Sequence, residues 1–375
     1  MSTEWLGGIL VASVPQTASL LMPLESHWGL LAAFMGVMAV LLTLDLALFH
    51  RNPTVVTWKS AALGVAFWVS LGLAFNGLLW WLAADSLSNS PQRLVDAGLV
   101  SGLAAPAADI AHAASTASRD IALQWLAGYI VELSLSVDNL FVFVVVLRYF
   151  AIPAALHHRV LFWGIVGAVV LRAVFISAGL AIIHQFDWVA GVFGAFLVVT
   201  GFKLMSINSG GAMMDPGRTL GFRLLKLFLP LHREFAGQQF FSRKDTKLVA
   251  TPLLAALVVV EFSDIVFAVD SVPAVLAITR EPVVAFTSNI AAVLGLRAMY
   301  FLLANAVDRF HLLKPALGIV LVFVGLKMTW QWWYGTPLLP IAVSLSIVVG
   351  IIALGSGLSL LLPARTSPPN PDATT

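Results

Sequence analysis

Apolar runs about as long as a bilayer is thick recur along this chain. A helix rises about 1.5 Å per residue, so roughly 20 residues cross the hydrocarbon core. Nine stretches qualify: roughly 28–49, 58–83, 121–150, 159–184, 188–207, 249–279, 283–306, 314–334 and 337–361. In hydrocarbon every backbone N–H and C=O must find a partner within the protein, so each run is predicted to be a helix. Composition agrees: 59% of the 375 residues are hydrophobic and 11% charged, against roughly a quarter charged in soluble domains. The mean hydropathy is +0.93. The fold class is therefore an all-α polytopic membrane protein. The chain has no Cys, which excludes disulfides, thiolate metal sites and a simple thiol-redox enzyme.

The connections divide the chain into five parts. Residues 1–120 hold the first two spans and a long Ala/Ser-rich connection from 84, with Asp85, Asp96, Asp109 and Asp120 outnumbering Arg93 and Arg119. Residues 121–207 and 249–334 hold three spans each, separated by a basic segment, 208–248, with seven Lys/Arg against three acids. The last span and a Pro/Ser/Thr-rich tail, expected to be disordered, fill 335–375. Basic residues favour the cytoplasm. With 208–248 placed there, alternation of nine spans puts fourteen Lys/Arg on the cytoplasmic side and three outside. The N-terminus is then expected outside and the C-terminus inside. Glu4, rather than a basic region, precedes the first apolar run, so no cleaved signal peptide is expected.

Two spans are acidic. The first contains Glu132, Ser134, Ser136, Asp138 and Asn139; the second contains Glu261, Ser263, Asp264, Asp270 and Ser271. An ionisable group at membrane depth costs several kcal/mol unless satisfied, so these carboxylates need partners or a function. On a helix Glu132, Ser136 and Asn139 fall at i, i+4 and i+7 and form one stripe, with Asp138 on another face. Pro273 follows Ser271 and is expected to kink or unwind its helix near Asp270. Asn289 adds an amide from the next span.

The basic residues at membrane depth come in pairs. Leu171-Arg172-Ala173 is echoed by Leu296-Arg297-Ala298, and Gly201-Phe202-Lys203-Leu204 by Gly325-Leu326-Lys327-Met328. Aligning Val137-Asp138-Asn139 with Val269-Asp270-Ser271 also superposes Glu132 on Asp264. An acidic span, an Arg span and a Lys span therefore occur twice, as spans 3–5 and 6–8. Three spans per unit invert the second copy, the plan of many transporters, with a site near the midplane where the copies meet. The symmetry predicts Glu132 and Asp264 near the midplane, Asp138 and Asp270 on opposite sides of it, and a metal between them.

Carboxylates, hydroxyls and amides suit hard or borderline divalent cations such as Mg²⁺, Mn²⁺ or Ca²⁺. Ligand type alone does not separate Mn²⁺ from Mg²⁺. A purely structural role would match each acid with a base. Asp45 in the first span makes a sixth acid, whereas only Arg172, Arg297, Lys203 and Lys327 lie at depth. The surplus is left for protons or metal, which suggests exchange of a divalent cation for protons. Arg172 and Arg297 read as permanent partners that limit the charge of the empty site. No nucleophile set or phosphate loop points to an enzyme, and no permanent cofactor is expected. Trp80, Trp81, Trp330, Trp332 and Trp333 read as interfacial belts. His157-His158 reads as a solvated loop. The basic segment 208–248 suits anionic lipid or a protein partner rather than nucleic acid.

At these motifs the sequence resembles the TerC family of integral membrane proteins, of the Alx type. The matching stretches are Gly128 to Phe143, Gly194 to Lys203, Ala250 to Leu253, Glu261 to Pro273, and Thr287 to Leu303, within a likeness covering about 28–360. The family's acidic motifs fall on Glu132, Asp138, Asn139, Glu261, Asp264 and Asp270, which the resemblance implies as the metal set; the residue pattern itself adds Ser134, Ser136, Ser263, Ser271, Asn289, Arg172, Arg297 and Asp45 as supporting groups. It further implies kinship with LysE-like cation exporters, Mn²⁺ export, and an association with tellurium resistance and alkaline conditions. The sequence departs from the family pattern in its long 84–120 connection and at Asn305, where a Gly is common. The competing expectation is a non-transporting scaffold that assembles a stress-response complex through 208–248.

Overall fold

The computed structural model describes residues 20–51, 58–186, 188–206, 219–228, 239–244, 247–303, 312–336 and 338–361. Asn305 and the tail after Leu361 lie outside these residues. So do the side chains of Asp45, Asp138 and Asp270, although their backbones are helical. The elements are α1 (Leu24–Arg51), α2 (Trp58–Asn89), α3 (Pro91–Asp96), α4 (Ala107–Tyr149), α5 (Ala154–Gln185), α6 (Trp188–Ser206) and α7 (Leu220–Phe228). An antiparallel hairpin follows, β1 (Phe241–Lys244) with β2 (Lys247–Ala250). The chain then forms α8 (Pro252–Leu276), α9 (Pro282–Leu294), α10 (Leu296–Leu303), α11 (Leu313–Tyr334) and α12 (Ile341–Leu361).

Helix ends follow local chemistry. Pro91, Pro252 and Pro282 stand in the first turns of α3, α8 and α9, where a missing N–H costs nothing. Gly335 ends α11 in the left-handed region at φ +69°, its N–H bonded to the Gln331 carbonyl, as a helix C-terminus prefers.

Among the described residues eight helices are long and apolar enough to span a membrane, rather than the nine expected. The one outside that set is α4, the predicted third span, whose middle turns carry Glu132, Ser134, Ser136 and Asn139. Its 43 residues also begin well before the predicted start at 121. Most of the expected 84–120 connection is thus helical, because Ala favours helix as strongly as any residue even where hydropathy is low. The crossing Pro282–Leu302 is broken at Gly295 into α9 and α10. Pro273 does not end α8, which continues to Leu276. His157 and His158 lie in the first turns of α5, not in a loop. His157 is half-buried, with Nδ1 3.0 Å from Tyr300 Oη and Nε2 2.8 Å from the Ile152 carbonyl.

The helices turn apolar faces outward. Val37, Leu63, Phe67, Trp81, Val199 and Leu354 are exposed, which suits a lipid-facing belt and no aqueous surface. On α7, Leu220, Leu224 and Leu227 are exposed at i, i+4 and i+7, whereas Phe222 and Leu225 are buried. Inside, α4 packs on α2 and α9, and α5 packs on α8.

The most intimate helix pair is α6 with α11. A Cβ built on Gly201 would stand 2.5 Å from the Gly318 carbonyl oxygen, and one on Gly318 2.7 Å from that of Gly201. Gly194 and Gly325 repeat the arrangement at 2.8 and 2.6 Å. Backbone meets backbone at both points, so a methyl group forces the helices apart. Gly201→Ala is expected to destabilise the fold by about 1–3 kcal/mol, as overpacking does. Gly36→Ala, with open space around it, should be neutral. Thermal unfolding in detergent checks this, and equal midpoints for the two variants would contradict the close approach.

Candidate functional site

One polar network lies buried where α4, α5, α8 and α9 meet. Helical spacing brings Glu132, Ser136 and Asn139 to one face of α4. Ser136 Oγ donates to Glu132 Oε1 at 3.2 Å, and Asn139 Nδ2 donates to Asp264 Oδ1 of α8 at 3.0 Å. From α9, Asn289 Nδ2 donates to Glu132 Oε2 at 2.8 Å. From α5, Arg172 enters between the two carboxylates. Its Nη1 donates to Glu132 Oε1 and, at 3.2 Å, to Asn289 Oδ1. Its Nη2 donates to Asp264 Oδ1 at 3.4 Å. Glu132 is 0% exposed, Arg172 1% and Asp264 6%, so water screens none of these charges.

The guanidinium thus occupies the place between Glu132 and Asp264 where symmetry put a metal. Two carboxylates share one permanent cation, and a formal negative charge remains. Two oxygens of the cluster are buried without a hydrogen-bond partner, Asp264 Oδ2 and Ser271 Oγ. Such groups are rare because losing water uncompensated costs about 1–3 kcal/mol. Ser271 borders a cavity of about 70 Å³ that Asn139, Arg172 and Thr200 also line. That volume admits a small ion or a water.

The other expected site residues are placed differently. The hydroxyls of Ser134 and Ser263 donate to the carbonyls of Ile130 and Val259, each 2.7 Å away and one turn earlier. They satisfy their own helices and leave the network. Glu261 is half-buried over α5, where a Cβ at Gly167 would overlap its carboxylate. Arg297 is buried in α10, apart from the Glu132–Arg172–Asp264 bridge. Among the described residues no three acidic or histidine side chains gather as a ready-made metal cage. A cation here would take carboxylate, amide and hydroxyl oxygens together, a set that fits a hard divalent ion.

Sequence reasoning had no signal for the Trp125 Nε1 bond to Thr287 Oγ1 at 2.9 Å, which pins α4 to α9 about four turns from Asn139. A buried tryptophan in a membrane helix looks like any other apolar residue.

Removing one member of a buried ion pair costs about 3–5 kcal/mol, because the partner stays charged and unpaired. Arg172→Met should therefore lower stability by that amount, and adding Glu132→Gln in the same chain should recover part of the loss. Thermal denaturation of the purified variants checks both. Additive losses in the double variant would mean that the two groups do not form a pair.

Comparison with known proteins places the site in context. Residues 117–367 match the model of the integral membrane protein TerC family. An uncharacterized membrane protein of Myxococcus xanthus, STKORF319, is 40% identical over 340 residues, 91% of this chain and 94% of its own. The putative membrane-bound redox modulator Alx of Escherichia coli K12 is 40% identical over 328 residues, 87% of this chain and 92% of its own. An uncharacterized membrane protein of Rickettsia bellii is 29% identical over 323 residues, 86% of this chain and 94% of its own. No solved structure matches. With the family model covering both acidic helices and the arginine between them, the chain belongs to the TerC family of integral membrane proteins.

Proposed function

We propose that the chain is a transporter that exports a divalent cation from the cytoplasm by alternating access, in exchange for protons. The observation that carries this reading is the buried Glu132–Arg172–Asp264 bridge, with the orphaned Asp264 Oδ2 beside it. In the resting state Arg172 cancels one of two negative charges, so the empty site survives in hydrocarbon. An arriving divalent cation takes over both carboxylates and displaces the guanidinium. Protons take its place on the return step, because low dielectric favours the neutral acid. Manganese(II) is singled out among hard and borderline ions by the family resemblance. The site needs no permanent cofactor and performs no covalent chemistry, so the protein is a carrier and not an enzyme.

Packing supports the inverted repeat. If spans 3–5 correspond to spans 6–8, Gly194 and Gly201 of α6 match Gly318 and Gly325 of α11. Gly194 meets Gly325, and Gly201 meets Gly318. Such reciprocal contacts are what a two-fold axis between antiparallel helices produces. The contacts of α5 with α8 and of α4 with α9 are reciprocal in the same sense. Rocking of one repeat against the other then opens the site to each side in turn. The excess of basic residues in 208–248 supports a cytoplasmic location for that segment, and on this reading the N-terminus is outside and the C-terminus inside the inner membrane.

A scaffold is the second reading. It is favoured by the exposed leucines of α7 beside the basic residues of the same segment, a surface suited to lipid or to a partner protein. The name redox modulator carried by the Alx relatives fits only an indirect effect here, since this chain has no Cys. Any association with tellurium resistance is likewise indirect, because buried carboxylates repel an anion.

Expression in a strain stripped of manganese exporters should lower cellular Mn²⁺. Glu132→Gln and Asp264→Asn should each cut that activity at least about tenfold, the scale of losses at metal-binding positions. Unchanged Mn²⁺ with the intact chain would sink the exporter reading. Loss of phenotype on truncating 208–248, with Glu132→Gln fully active, would establish the scaffold.

A further inference from the structure

Three cavities lie in order along the interface of α4, α8 and α11. The largest, about 640 Å³, sits where α4 begins and α11 ends, with His112, Arg119, Asp120, Gln124, Lys327 and Gln331 in its wall. Below it is a gap of about 20 Å³ closed by Ala127, Phe323, Val324 and Leu345. Lys327 and Ile278 border both. The third is the cavity of about 70 Å³ beside Asn139, Arg172 and Ser271. Along α4 the wall passes from Gln124 through Ala127 to Leu135 and Asn139; along α11 it passes from Gln331 through Lys327 and Val324 to Leu321. The axial distance from Gln124 to Asn139 is about 22 Å at helical rise, most of the way through half a bilayer and its interface.

We propose that this line is the exit path of the exported cation, shut in the present conformation by the apolar layer, with Lys327 as its electrostatic gate. The proposal rests on the exporter reading and its orientation. Lys327 is 8% exposed, faces the vestibule, and has no ion-pair or hydrogen-bond partner among the described residues. An apolar gap too small for a hydrated ion blocks conduction by staying dry. An ammonium at its rim adds repulsion towards a divalent cation from either side. Such a barrier limits leak and cannot set direction, which comes from coupling to protons. Its four-carbon stem lets the ammonium swing into the watery vestibule when the repeats rock, and the path then clears. The repeat counterpart, Lys203, is exposed at the end of α6, so the gate belongs to one side of the carrier only.

The chain has no Cys, so a single introduced cysteine reports its own position in the full-length protein. Membrane-impermeant methanethiosulfonates of either charge, applied to the outer face of spheroplasts, should modify Gln124→Cys at least about tenfold faster than Val324→Cys. At Gln124→Cys the anionic reagent should outpace the cationic one at low salt. That preference should narrow in a Lys327→Met background and persist with Lys327→Arg, which keeps the charge should the neutral variant fold poorly. Equal rates at the two cysteines would overturn the plug. A charge preference untouched by Lys327→Met would overturn the gate, and reaction of Gln124→Cys only from the cytoplasmic face would overturn the exit. Added Mn²⁺ should accelerate labelling at Val324→Cys. The resting pattern as described with no response to Mn²⁺ would instead count against the exporter reading.

Discussion

A guanidinium held between two carboxylates in a water-free interior is the constraint around which the bundle is arranged. Each of the three charges would be prohibitive alone at membrane depth. Together they are tolerable only if four helices deliver them to one point, α4 with Glu132, α5 with Arg172, α8 with Asp264 and α9 with Asn289. One of the two formal negative charges is left over once Arg172 is counted. A fully compensated pair would leave no oxygen over, whereas here Asp264 Oδ2 is buried without a hydrogen-bond partner, and Asn139 and Arg172 of the same network line a small cavity. On the proposed exporter reading, the network is poised between an internal cation and an external one.

Glycine makes the rest of the geometry possible. Lipid supplies no hydrophobic drive for helices to associate, so close backbone approach and van der Waals packing must supply it. The seam of Gly194, Gly201, Gly318 and Gly325 does so between α6 and α11. Gly167 leaves room for the Glu261 carboxylate, and Gly128 brings α4 within reach of Ser288 on α9. Small residues at these contacts let the helices approach closely enough for packing to hold them together.

Much of this was legible in the sequence because the bilayer imposes simple rules. Span lengths, the acidic stripe of Glu132, Ser136 and Asn139, and the relation of Glu132 to Asp264 all follow from hydropathy and period. What the sequence hid was each choice between equivalent partners. Ser134 and Ser136 look alike as ligands, yet one hydroxyl turns to its own helix and the other to Glu132. Arg172 and Arg297 look alike as partners, and among the described residues it is Arg172 that bridges Glu132 and Asp264. Residues 107–120 read as a connection because hydropathy is blind to alanine's helix preference, and those residues extend α4. Lys203 and Lys327 match as text but differ in burial, since helix rotation against neighbours is a tertiary outcome.

Flux through the buried pair is the most direct test of the account. Inverted membrane vesicles containing the intact chain, acidified inside, present the cytoplasmic face to added Mn²⁺, Mg²⁺ or Ca²⁺. The account predicts Mn²⁺ uptake that dissipates the proton gradient, stops when the gradient is collapsed, and is absent from vesicles carrying Glu132→Gln. Uptake of all three ions no greater than in vesicles without the protein would contradict it.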